Sequence, residues 1–345
     1  MSSAQPELLV VVDTEEEFDW TKPFDRNSTS TKSILAQAGA QEIFARFGVK
    51  PTYVVDYPVA TSGEGACYLR ALKESGQAEI GAHLHTWVTP PHDEVVSTRT
   101  SYQCNLSADL KRAKIDTLTD AIAQAFGERP TIFKAGRYGL GPVTVRHLVA
   151  LGYKIDCSVL PHHDLRGDGG PDFTRYPDQP YWLPDAPGLL EVPVTTGFLG
   201  AVPRLGERFA KLFDSPLASR LHIPGMLARS GIVARSRLTP EGVPADEQCR
   251  LLARLVRSGR RTFTLYYHSP SLAPGNTPYV RDAADLDRFL GALDEVLTYF
   301  RDALGGRFTN LSEVHDRLVA ERPPQLAETP RQKPGTLNTR PAPAL

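Results

Sequence analysis

Two histidines stand two residues apart at the end of an apolar run in EIGAHLHTW, His83 and His85. Residues i and i+2 of a strand face the same side, so this spacing aims two imidazoles into one space. Neutral imidazole nitrogens suit zinc and similar divalent ions, and one or two carboxylates would complete the site. Asp13 and Glu15 in VVDTEEEF have the same spacing. Taken singly, such pairs are polar strand ends or a solvated acidic face; taken together they predict a metal site. His268 ends the apolar run FTLYYH and is a candidate general acid, because an imidazole with its ordinary pKa of about 6.5 exchanges protons near neutrality. Lys134 and Arg137 in FKAGRYGLG, and Asp156 in YKIDCSV, are the remaining polar residues of this kind. Lys134 and Asp156 could equally form a structural ion pair, and Arg137 could be a surface cation.

Catalytic groups in parallel α/β folds gather at the carboxyl ends of strands, so these residues need strands that end at them. Apolar runs predict strands over 8–12, 52–55, 79–82, 131–133, 153–157, 189–194 and 262–267. Periodic segments predict helices over 33–47, 68–75, 107–126, 143–151, 245–256, 283–304 and 312–320. Ser33 and Ser107 read as N-caps, and Gly48, Gly76 and Gly127 as stops. The alternation implies parallel strands with crossover helices, hence a barrel or an open doubly wound sheet. No GxGxxG or GxxxxGK[ST] follows any of these strands, which removes the main support for nucleotide binding. The stretch 161–188 is rich in Gly, Pro, Asp and His and reads as a long loop, and 205–229 is basic and weakly amphipathic. We therefore expect one barrel domain over 1–320 with an insertion at about 161–245. The segment 321–345 holds six prolines and is expected to be a disordered tail.

At 345 residues and 41% hydrophobic composition the chain can bury a large core, which excludes fibrous and wholly disordered classes. Lysine and arginine total 39 against 40 acidic residues, so no sequence-wide basic field favours nucleic acid or an anionic membrane as partner. No uncharged apolar stretch approaches the roughly 20 residues of a membrane span. The apolar run before Asp13 has no basic region ahead of it and reads as a strand, giving a cytoplasmic expectation. Cys67, Cys104, Cys157 and Cys249 are far apart, form no CxxC, and are expected to be reduced thiols.

The ordered blocks VVDTEEEF, EIGAHLHTW, FKAGRYGLG, YKIDCSV and YYHSPSL resemble the polysaccharide deacetylase superfamily, the NodB homology domain of carbohydrate esterase family 4, over about residues 6–318. The resemblance implies a distorted (β/α)7 barrel and a divalent metal, with zinc foremost, that polarises an N-acetyl carbonyl and activates water. By position it implies Asp13 as general base, His83 as a metal ligand and His268 as the acid that protonates the leaving amine. Lys134 or Arg137 occupies the block that orients the base, the backbone N–H of Tyr138 is a candidate oxyanion donor, and Asp156 matches an acid that tunes the late histidine.

Two positions depart from that pattern: Thr14 stands where the second acid is expected, and Trp87 where the second histidine is expected, four residues after the first. Glu15 and His85 are the proposed replacements, with His92 in reserve. The leading expectation is a metal-dependent amide hydrolase acting on an N-acetylated sugar or glycan precursor, a small-molecule or oligosaccharide substrate. Its rivals are another metal-dependent hydrolase, of C–N or phosphoester bonds, and an inactive sugar-binding barrel using Trp87, Trp182 and Tyr181 as stacking platforms. The sequence sets no oligomeric state.

Overall fold

In the computed structural model, which describes residues 5–321, the run ELLVVVDT forms a strand buried along its whole length, β1 (Glu7–Thr14). Such a run lacks the polar alternation of a half-exposed strand, as a parallel sheet covered on both faces requires. The following strands are β2 (Thr52–Val55), β3 (Glu79–Leu84), β4 (Ile132–Ala135), β5 (Ile155–Asp156), β6 (Tyr181–Trp182) and β7 (Leu190–Glu191). After them come β8 (Thr196–Leu199), β9 (Ala234–Arg237), β10 (Thr262–His268) and β11 (Arg307–Phe308). The main sheet runs β10-β1-β2-β3-β4-β5-β7-β6, parallel except for the last pair, with β11 beside the start of β1. β8 and β9 form a separate antiparallel hairpin.

The curled sheet closes through irregular backbone. Thr195, just past β7, donates from its N–H to the Thr264 carbonyl (3.2 Å) and accepts the Thr264 N–H on its Oγ1 (2.8 Å). Tyr266 donates to the Leu238 carbonyl (3.2 Å), and the Gln179 side chain accepts from the N–H groups of Arg261 and Thr262 at 2.7 and 3.0 Å. Helices Gln37–Phe47, Gly63–Glu74, Ala108–Phe126, Pro142–Leu151, Ala245–Arg257, Ala283–Asp302 and Leu311–Glu321 accompany the strands. The result is a distorted (β/α)7 barrel, and its core runs from Leu8 to Val314 as one cluster.

Helix ends follow the local signals where a side chain makes the cap. Ser107 Oγ accepts the Leu110 N–H (3.3 Å), and Gly127 ends that helix at φ 82°, a conformation glycine adopts without penalty. Ser33 instead lies inside a 3-10 turn, Lys32–Ala36, with its N–H on Glu17 Oε1, so the α-helix begins only at Gln37. The helix expected from residue 68 starts at Gly63 because Ser62 caps it. The region 205–229 breaks into short helices over the β8–β9 hairpin, which the sequence reading did not contain. Among the described residues all four cysteines are free and no helix is long and apolar enough to cross a membrane. The expectation for the proline-rich tail falls outside the described residues, save Glu321, which ends the last helix.

Candidate active site

The parallel register sets the site before any side chain is considered. Asp13 pairs with His268 across β1 and β10, and His83 pairs with Lys134 across β3 and β4. All four lie at or near the carboxyl ends of their strands, where Glu15 continues β1 on the face of Asp13 and His85 continues β3 on the face of His83. Thr14, one residue off that alternation, is fully buried and donates its hydroxyl to the Val12 carbonyl (3.0 Å).

Glu15, His83 and His85 each offer one ligand atom within 4.8 Å of the others. Glu15 Oε2 lies 3.6 Å from His83 Nε2 and 3.4 Å from His85 Nε2. The other ring nitrogens are occupied: His83 Nδ1 faces the Lys134 carbonyl at 3.2 Å, and His85 Nδ1 faces Glu16 Oε2 at 2.8 Å. With Nδ1 as donor in both rings, the two Nε2 lone pairs turn toward Glu15. Burial, with His85, Lys134 and His268 adding to it, holds His83 well below its usual pKa, and burial brings His85 to about 4, so both rings are neutral. Burial pushes the Glu15 carboxyl up, with Glu16, Asp13 and Asp56 adding to it and His268 opposing. Its Oε1 is buried with no hydrogen-bond partner. An under-satisfied carboxylate facing two neutral imidazoles is a donor set that a divalent cation such as zinc fits.

Behind the histidines lies a polar support. Glu16 accepts from His85 Nδ1 and from Trp87 Nε1 (2.6 Å), and its N–H donates to Asp56 Oδ2 (2.7 Å). The Trp87 ring stacks on His85 at 4.2 Å between centroids, so the ring is held from its face and its edge. Burial pushes Glu16 up to about 7 and Asp56 well above the usual carboxylate range, with Glu16 adding to the shift at Asp56.

The other half of the site is charged. Lys134 Nζ donates to both oxygens of Asp13, at 2.6 and 2.8 Å, with both residues buried. His268 Nε2 is 3.7 Å from Asp13 Oδ2, and its Nδ1 donates to Glu241 Oε2 at 2.8 Å. Glu241 Oε1 also accepts the His268 N–H (3.1 Å) and the Ser271 hydroxyl (2.5 Å). Burial acts against the charged imidazole, but Glu241, Glu15 and Asp13 together raise His268 to about 10, so at neutral pH it is an imidazolium. These groups open into a cavity of about 520 Å³ walled by Phe18, Trp20, Phe24, Tyr102, Tyr138 and Tyr279.

The residues singled out from the sequence thus fall into two sets. Asp13, Glu15, His83, His85, Lys134 and His268 converge. Arg137 and Tyr138 line the cavity in left-handed conformations, φ 53° and 60°, but the Arg137 guanidinium turns to Ser101 Oγ (2.7 Å) and the Tyr102 ring (4.1 Å). Of the two candidates for orienting Asp13, Lys134 makes the contact. Asp156 does not tune His268: it is fully buried, accepts from Ser158 Oγ (2.7 Å) and lies beside Glu191, while Glu241 holds the histidine. His92 is exposed beside Lys114, Arg26 and Glu94 and does not line the cavity. Trp87 lines the cavity, 1% exposed with its ring against His85, whereas Tyr181 and Trp182 on β6 do not line it. Glu16, Glu241 and Trp20 went unnoticed. Glu16 shares the acidic run with Glu15, whereas Glu241 meets a histidine 27 residues further along and has no local signal.

No protein-family model matches the sequence, and no curated protein does. Solved structures match over nearly the whole chain. A Mycobacterium smegmatis protein assigned to the polysaccharide deacetylases is 16% identical, with 95% of this chain and 96% of that one covered and a TM-score of 0.53. A Pseudomonas aeruginosa PAO1 protein assigned to the same group is 15% identical, with 92% of each chain covered and a TM-score of 0.54. PuuE allantoinase is 16% identical, with 93% of each chain covered and a TM-score of 0.56. At these identities the likeness is one of architecture, and the chain has the distorted barrel fold of the polysaccharide deacetylases, the fold its five sequence blocks implied.

Proposed function

We propose that the protein is a metal-dependent hydrolase of C–N bonds that removes an acetyl group from an N-acetylated sugar or glycan precursor. The observation that carries this reading is the buried Glu15 carboxylate, one oxygen without a partner, facing the Nε2 atoms of His83 and His85 beside Asp13 and His268. Glu15, His83 and His85 would hold the ion, for which zinc suits the donor set. When bound, such an ion polarises an acyl oxygen and makes a nearby water more acidic. Asp13, fixed by Lys134 through both oxygens, accepts the proton of the attacking water. His268 donates its Nε2 proton to the departing amine, and Glu241 fixes the ring and stabilises its charge. The Tyr138 N–H is the oxyanion donor of this scheme.

Elemental analysis by inductively coupled plasma mass spectrometry, together with an acetate-release assay on N-acetylated sugars, tests the reading. About one zinc per wild-type chain is expected, lost in His83→Ala and kept in Asp13→Asn, whose kcat falls by roughly 100-fold or more. No metal after reconstitution with zinc would overturn it. Amine release without acetate would move the scissile bond to a different amide.

A further inference from the structure

Most charged side chains lining the cavity have a counter-ion within 4 Å. Lys134 has Asp13, Arg137 has Asp168 (3.5 Å), Lys22 has Asp19 (2.9 Å), and His268 has Glu241. Arg237 does not: among the described residues no carboxylate forms an ion pair with it, although it lines the same cavity and is only partly accessible. Its electrostatic neighbours are the phenols of Tyr266, Tyr138 and Tyr279 and Glu241, whose oxygens are already taken by His268 and Ser271. A guanidinium that lines the cavity with no carboxylate against it keeps N–H donors for an arriving anion. Its planar fork matches carboxylate and phosphate oxygens in pairs.

Arg237 is also held firmly. It ends β9, paired opposite Thr196 on β8, and the next residue, Leu238, is bonded on both sides, donating to the Thr195 carbonyl (3.0 Å) and accepting from the Tyr266 N–H (3.2 Å). The backbone at Arg237 is therefore fixed by the barrel closure itself, and its side chain lines the cavity together with His268 and Tyr279.

We propose that Arg237 binds an anionic group of the substrate, so that the molecule hydrolysed is an N-acylated compound carrying a carboxylate or a phosphate. This rests on the hydrolase reading for the scissile bond but not for the anion site, and binding alone can test it. Titration calorimetry of the zinc-loaded protein would compare N-acetylglucosamine 6-phosphate, N-acetylmuramic acid and neutral N-acetylglucosamine, against wild type, Arg237→Ala and Arg237→Lys. One anionic sugar is expected to bind roughly 10–100-fold more tightly than the neutral one, and which one identifies the anion. Arg237→Ala removes that preference, and Arg237→Lys restores part of it. Equal affinity for all three sugars in wild type, or a preference that survives in Arg237→Ala, would overturn the proposal even if acetate is released. A preference for the anionic sugar that depends on Arg237, in a protein that hydrolyses none of the three, would sustain the anion site and remove the deacetylase reading instead. An unchanged circular-dichroism spectrum and melting temperature in both variants show that a lost preference reports the site and not the fold.

Discussion

Replacing Lys134 with methionine tests the charge arrangement under Asp13. Nζ contacts both Asp13 oxygens at 2.6 and 2.8 Å, with neither residue reached by bulk water. At an effective dielectric constant near 20, unit charges about 2.7 Å apart attract by roughly 6 kcal/mol, offset by a desolvation cost of several kcal/mol for each ion. The pair is thus nearly neutral relative to apolar residues, while removing one partner leaves a buried charge uncompensated and costs about 3–5 kcal/mol. Each of Lys134→Met and Asp13→Asn should lose that much, and the double variant should lose far less than the sum, with a coupling of about 2–3 kcal/mol. His268, 3.7 Å from Asp13, and the Tyr266 ring, 5.0 Å from Nζ, soften the single losses toward the lower end. Urea unfolding at pH 7, followed by circular dichroism and by tryptophan fluorescence, measures all four proteins. Losses that add within about 0.5 kcal/mol would refute the reasoning, since the two charges would then not be compensating each other.

Glu241→Gln removes the strongest influence holding the proton on His268, and burial then lowers the imidazole pKa. Because the folded pKa lies above the unfolded value, this group stabilises the wild type fully below about pH 6.5 and loses that contribution as pH rises through about 10. In the variant the window narrows and the alkaline limb of the kcat/KM profile moves toward neutral pH; an unmoved limb would remove His268 from the role of acid. Trp87→Phe keeps the ring on His85 but deletes the donor to Glu16 Oε1. Zinc affinity, measured by chelator competition, should fall by roughly 10–100-fold, and an unchanged affinity would show that Glu16 does not orient His85 through this bond.

The parts of this molecule legible in the sequence are those set by short-range physics. The uninterrupted apolar run Leu8–Val12 implies a covered parallel strand, Ser107 and Gly127 bound a helix by chemistry within one turn, and the spacing of His83 and His85 implies a shared face. What escaped depends on contacts between distant segments. Ser33 looks like a cap because its neighbours are periodic, yet its N–H is taken by Glu17 and the helix starts later. Asp156 sits at a strand end like the others, but its strand lies on the far side of Lys134 from Asp13, where it meets Ser158 and Glu191. Glu241 reaches His268 only because the chain returns from the β8–β9 hairpin alongside β10, and Arg237 enters the cavity by the same return.

The pairing of Asp13 with His268 belongs to an unbroken ladder from Glu7↔Thr262 onward. Main-chain hydrogen bonds are indifferent to side-chain identity, so the frame that aligns the two segments persists when individual residues are exchanged. Along such a frame every second position looks into the same space. Glu15, two residues beyond Asp13, and His85, two beyond His83, accordingly face the space that Asp13 and His83 face. The ladder therefore fixes where these side chains stand whatever residues occupy the positions, a constancy that a site built on loops would not have.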